Sequence, residues 1–121
     1  MTHDLAGAWQ LVGWSVEYED NRPAEFPLGR DARGLLLYTS TGQVSATLMG
    51  SQPPGSFAYA GRYDVRDGAV YHSIEISTDP TLVGMTTTRR IAREGDVLTL
   101  SGPDFSAGTG RHQKIVWRRL P

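Results

Sequence analysis

The chain has 121 residues, a formal charge of -1 and no cysteine, a length at which one hydrophobic core can stabilise a domain without staples. The missing thiols exclude a disulfide framework, thiolate zinc ligation and a cysteine nucleophile. Twelve basic and thirteen acidic residues, interspersed along the chain, leave no one-signed field to draw the protein onto nucleic acid or an anionic membrane.

Apolar residues alternate with polar ones from end to end, and no window of eleven or more residues keeps the spacing of an amphipathic helix. Taken in chain order, strands are expected over residues 8–19, 34–40, 43–49, 57–66, 69–77, 85–93, 96–101 and 111–119. Thr41-Gly42, Asp67-Gly68 and Glu94-Gly95 sit between strand pairs, where a tight hairpin turn needs a residue tolerant of positive φ. Consecutive strands are therefore antiparallel neighbours. Eight of them close into a small barrel, which removes the exposed sheet edges. The expected fold is all-β: a single antiparallel up-and-down β-barrel of about eight strands spanning residues 1–121 as one domain. Longer connections at 20–33, 50–56 and 102–110, rich in proline and glycine, belong at the rims, where the portals of barrels are found. Met1 to Gly7 shows no basic stretch leading into an apolar one, and no apolar run reaches the length of a membrane span, which reads as a soluble, cytoplasmic chain.

The candidate chemistry lies on the strands. In Val70-Tyr71-His72-Ser73-Ile74-Glu75-Ile76, parity puts His72 on one inward face with Val70, Ile74 and Ile76, and turns Tyr71, Ser73 and Glu75 to solvent. An imidazole among aliphatics can act as a general acid or base near neutrality or donate to a ligand oxygen; the alternative is a core histidine satisfied by neighbouring groups. Of Arg89 and Arg90, one must face inward. With Ile91 in the core it is Arg89, beside Thr87; a bulge would substitute Arg90. A buried arginine needs a protein acid or a ligand oxygen as partner, unless both snorkel to solvent. Trp14, Tyr38, Tyr59 and Tyr63 supply aromatic wall with polar tips, which describes a small-molecule pocket and ordinary barrel packing alike. No Gly-x-Ser-x-Gly elbow and no phosphate loop occur. His3, His72 and His112 are too scattered to suggest a metal site, so no metal or other cofactor is expected.

Several segments resemble the bacterial and fungal lipocalin-like domain family. They are Gly7-Ala8-Trp9-Gln10-Leu11-Val12, Phe26-Pro27-Leu28-Gly29-Arg30-Asp31-Ala32-Arg33-Gly34, Thr41-Gly42-Gln43-Val44-Ser45-Ala46, Tyr59-Ala60-Gly61-Arg62-Tyr63-Asp64-Val65, Val70-Tyr71-His72, Arg89-Arg90-Ile91, Gly95-Asp96-Val97-Leu98-Thr99-Leu100 and Val116-Trp117-Arg118-Arg119. They fall in family order across nearly the whole chain. The segment before Tyr59, Gly50 to Ser56, is shorter than the partly helical insertion usual in the family, which implies a more open rim. The resemblance implies a ligand-enclosing barrel in which Trp9 plugs one end and Arg118 or Arg119 lies across its face, a cation–π contact of roughly 0.5–2 kcal/mol. It implies no reaction.

These residues together predict binding of a small, largely apolar, oxygen-bearing metabolite by a monomer or homodimer. Two uses of such a site stay open. One is a cofactor-independent isomerase, cyclase or dehydratase of a biosynthetic intermediate, with His72 as proton shuttle and Arg89 as oxyanion partner. The other is a non-catalytic carrier; in either, Trp14, Tyr38, Tyr59, Tyr63 and Arg90 complete the ligand contacts.

Overall fold

The computed structural model describes residues 5–103 and 111–121. Eight strands follow one another: β1 (Gly7–Tyr18), β2 (Arg33–Tyr38), β3 (Gln43–Met49), β4 (Ser56–Arg66), β5 (Ala69–Ser77), β6 (Thr86–Glu94), β7 (Val97–Pro103) and β8 (Arg111–Arg119). Each pairs with its neighbours in sequence, and the β1–β8 ladder closes the barrel. The strand boundaries lie within two residues of those expected from the alternation, because the period-two pattern and the Gly turns carry the same message. Asp67 and Gly68 take φ of 54° and 77°, and Gly42 and Gly95 take 99° and 60°, the left-handed geometry that tight hairpins demand. A single 3-10 turn at Pro80–Leu82, opened by the Asp79 side chain, interrupts the β5–β6 connection. Among the described residues no helix is long and apolar enough to cross a membrane.

Two bulges decide which side chains reach the interior. In β1, Leu11 pairs with Trp117 and Gly13 with Val116, so Val12 is the extra residue. It points out, 53% exposed, and shifts the parity so that Leu11 and Trp14 both face inward. In β5, Ile74 pairs with Gly61 and Ile76 with Ala60, which makes Glu75 the extra residue. Ile76 is thereby turned out to 66% exposure. The inward position expected for it from strict alternation is corrected, since a bulge reverses every side chain beyond it. The same distortion brings β5 so close to β4 that a Cβ on Gly61 would stand 1.9 Å from the Ser73 carbonyl oxygen.

The end of the barrel that holds the three tight turns is filled. Trp9 is fully buried, its indole nitrogen donates to the Leu5 carbonyl at 2.9 Å, and Arg119 lies over its ring at 4.3 Å. Arg119, not Arg118, thus occupies the position that the sequence left between the two. It also donates to the Ala6 carbonyl, while Arg93 stacks at 5.2 Å. An indole of this size removes about 150–250 Å² from water, a transfer gain of about 4–6 kcal/mol. At the other end the connections 19–32, 50–55 and 78–85 gather. The first of these inserts Leu28, which is 1% exposed, and a backbone bridge from Val16 to Glu25 ties it down. Gly50 is required beneath it, because a Cβ would meet the Leu28 carbonyl oxygen at 2.0 Å.

Candidate functional site

Between the Trp9 plug and the gathered connections lies a cavity of about 560 Å³, within the usual range for small-molecule sites. Its walls are largely apolar: Leu36, Leu48, Phe57, Ile74, Leu100 and Ile115 supply much of the surface. Pro27, Leu28, Pro54 and Leu82 from the connections border it at the mouth. Set into these walls are the side chains of Trp14, Tyr59, His72, Thr87, Arg89, Gln113 and Trp117.

His72 is the centre of the polar group. Its ring is 2% exposed, and both nitrogens are engaged: Nε2 with the Tyr38 hydroxyl and Nδ1 with the Tyr59 hydroxyl, each at 2.7 Å. The register explains the arrangement. Tyr63 of β4 and Thr87 of β6 stand opposite His72, Tyr59 lies two inward positions nearer the mouth, and Tyr38 reaches across from β2. Burial, aided by the nearby Arg89 cation, pushes the imidazole down to about 3. The ring is neutral at ordinary pH, with both nitrogens satisfied by neighbouring hydroxyls. Burial likewise raises the Tyr59 phenol to about 12 and holds the Tyr38 phenol well above its usual value, so both remain protonated.

Arg89 is the inward member of the arginine pair, 8% exposed. It donates to the Thr88 carbonyl at 3.1 Å. Arg90 stands on the outer face, exposed, between Ala69 and Ser101. Its expected role as a ligand contact is corrected, for β6 runs without a bulge here and parity turns Arg90 away from the cavity. Tyr63 faces inward, but its hydroxyl donates to the Thr39 carbonyl at 2.8 Å and its ring lies against Tyr38, with centroids 4.6 Å apart. It therefore belongs to the filled end. Tyr38 acts behind His72 and is no part of the cavity wall. Of the residues singled out from sequence, Trp14, Tyr59, His72 and Arg89 line one cavity.

Sequence reasoning overlooked Gln113, which is 6% exposed and accepts the Trp14 indole N–H at 2.9 Å. The signal was present, since Gln113 alternates with Ile115 and Trp117 on the inner face of β8. Asp79, Thr81, Leu82 and Met85 of the β5–β6 connection also border the cavity, and no periodicity announces residues of a loop. The connection at 102–110, expected at the rim, lies outside the described residues beyond Pro103.

A closed eight-stranded barrel, plugged at one end and hollow behind a polar cluster, defines a hollow β-barrel. The chain belongs to the lipocalin-like domain family, whose model matches residues 6–57 and 53–120. The two matches meet at the short segment before Tyr59. Over 74 residues, 53% of this chain and 67% of the relative, it is 35% identical to the 4'-hydroxy-3'-methoxypropiophenone carrier protein ppsC of Aspergillus oryzae (strain ATCC 42149 / RIB 40). Two solved structures share the fold. The lipoprotein YedD of Klebsiella pneumoniae subsp. pneumoniae MGH 78578 is 18% identical with a TM-score of 0.53, covering 99% of this chain and 74% of its own. An uncharacterized protein of Bacteroides eggerthii DSM 20697 is 15% identical with a TM-score of 0.56, covering 97% and 100%.

Proposed function

We propose that the protein carries a small, largely apolar, oxygen-bearing molecule inside the barrel. The observation that carries this reading is the cavity itself, about 560 Å³ of mostly apolar wall interrupted by one group of hydrogen-bonding side chains. Apolar enclosure supplies the affinity and a few polar groups set the orientation. The relative named as carrier of an oxygenated aryl ketone supports an aromatic ligand. Carriage is favoured over turnover because His72 is neutral and both of its nitrogens are already bonded. Trp14 and Trp117 line the cavity, so titration with an aryl ketone should change tryptophan fluorescence saturably. A linear, non-saturating response up to the solubility limit would oppose the reading.

One observation favours a catalytic reading, isomerisation or cyclisation next to a carbonyl. The Tyr59 hydroxyl and the Arg89 cation border the same space, an arrangement that could stabilise charge developing on oxygen. Deuterium exchange beside the carbonyl of a bound ketone, accelerated by the wild type and not by Tyr59→Phe, would establish it. Exchange at the solvent rate leaves carriage. A cytoplasmic location, without a cofactor, is part of the proposal, and fractionation of expressing cells tests it.

A further inference from the structure

The hydrogen-bond directions around His72 are fixed by where a proton can be left without a partner. Tyr38 is 3% exposed, and its hydroxyl meets His72 Nε2 at 2.7 Å. A neutral imidazole has one N–H and one bare nitrogen. If Nε2 carried the proton, the Tyr38 hydroxyl would accept from it and its own buried proton would have no acceptor among the described residues, which is costly. If Nδ1 carries it, Tyr38 donates to Nε2 and Nδ1–H donates to the Tyr59 oxygen at 2.7 Å. The Tyr59 proton is then the one left over. Tyr59 is only partly buried and lines the cavity, where a ligand can receive it.

A further group on β8 points to the same ligand chemistry. Gln113 uses its carboxamide oxygen to accept from Trp14, which leaves its amide nitrogen as the donor. The carboxylate bordering the cavity, Asp79, comes from the β5–β6 connection and accepts from the Thr81 N–H and hydroxyl.

We infer that the cavity reads acceptor oxygens, with the Tyr59 hydroxyl as the principal donor, held in that role by the Tyr38–His72 pair, and with Gln113 as a further donor. The ligand class is an aryl ketone, quinone, ester or phenolate rather than a hydrocarbon of the same shape. His72 is a positioning residue: it touches Tyr59, not the ligand. The chain Tyr38 O–H to Nε2, Nδ1–H to Tyr59, Tyr59 O–H to ligand polarises in one direction, so each bond strengthens the next.

The inference rests on the ligand-binding reading, and two measurements separate their failures. Nitrogen-15 NMR of the ligand-free protein should find His72 protonated on Nδ1, with Nε2 the bare nitrogen. Methyl naphthyl ketone should bind about tenfold more tightly than isopropenylnaphthalene, in which a methylene replaces the carbonyl oxygen, and Tyr59→Phe should remove that difference. Tyr38→Phe should release the tautomer preference and weaken ketone binding without altering hydrocarbon binding. A proton on Nε2 in the wild type, or equal affinities for ketone and hydrocarbon, would overturn the inference. Failure of both compounds to bind, with Nδ1 still protonated, would overturn the ligand-binding reading and with it the assignment of Tyr59 as the ligand's donor.

Discussion

Acidification should strip stability from this barrel through His72 before most carboxylates respond. The imidazole titrates near its ordinary value of 6.5 in the unfolded chain and at about 3 in the folded one. The native ring is buried against Tyr38, Tyr59 and the Arg89 cation. Because the folded value is depressed, the contribution is fully present above the unfolded value and is lost as pH falls toward the folded one. Through that window the unfolded chain takes up a proton that the native state refuses. Integrating the linkage from about pH 7 to about pH 5 gives a loss of about 2 kcal/mol from this single group. That is a large share of the 5–15 kcal/mol typical of a domain. Urea unfolding at the two pH values measures it. His72→Gln, whose carboxamide can accept from Tyr38 and donate to Tyr59 without titrating, should lose about 2 kcal/mol less than the wild type over the same interval. Equal losses in the two proteins would refute the argument that the imidazole is held neutral.

Other substitutions probe separate parts of the account. Gly61→Ala drives a Cβ into the Ser73 carbonyl and should cost about 3 kcal/mol or more. Gly13→Ala, with nothing within 4 Å of its Cβ, should change unfolding by less than about 0.5 kcal/mol. Trp9→Ala, at the plugged end, should lower stability by roughly 3–5 kcal/mol in urea unfolding. Ala46→Phe places a ring in the cavity that Ala46 lines. It should weaken aryl ketone binding at least about tenfold by calorimetry while the far-ultraviolet spectrum stays that of a barrel. Arg90→Ala, on the exposed face, should leave ketone affinity unchanged in the same assay.

The fold was legible because the alternation and the Gly turns repeat one instruction eight times, and a closed barrel is the arrangement that spares every strand an open edge. His72 was legible for the same reason, since parity turns it inward; parity left Arg89 and Arg90 open, and the choice falls on Arg89 because β6 runs without a bulge. Parity fails where a residue is inserted, and neither bulge leaves a mark in sequence. Val12 and Glu75 are ordinary strand residues, and Ile76 was misplaced because the extra residue stands just before it. What Tyr38 and Tyr63 do was hidden for another reason. Both face the interior, but whether an inward tyrosine borders the cavity or fills the plugged end depends on its height along the barrel axis, which comes from strand register. Trp117 illustrates the same limit: its place on the inner face is readable from sequence, its partnerless N–H is not.

The account stands on an interior that admits a ligand and orients it by an oxygen atom. A crystal structure of the protein with methyl naphthyl ketone tests this most directly. The ring should lie among Leu36, Leu48, Ile74 and Ile115, with the carbonyl oxygen about 2.6–3.2 Å from the Tyr59 hydroxyl. A ketone seated on the outer face, or one inside with its oxygen turned away from Tyr59, would contradict it.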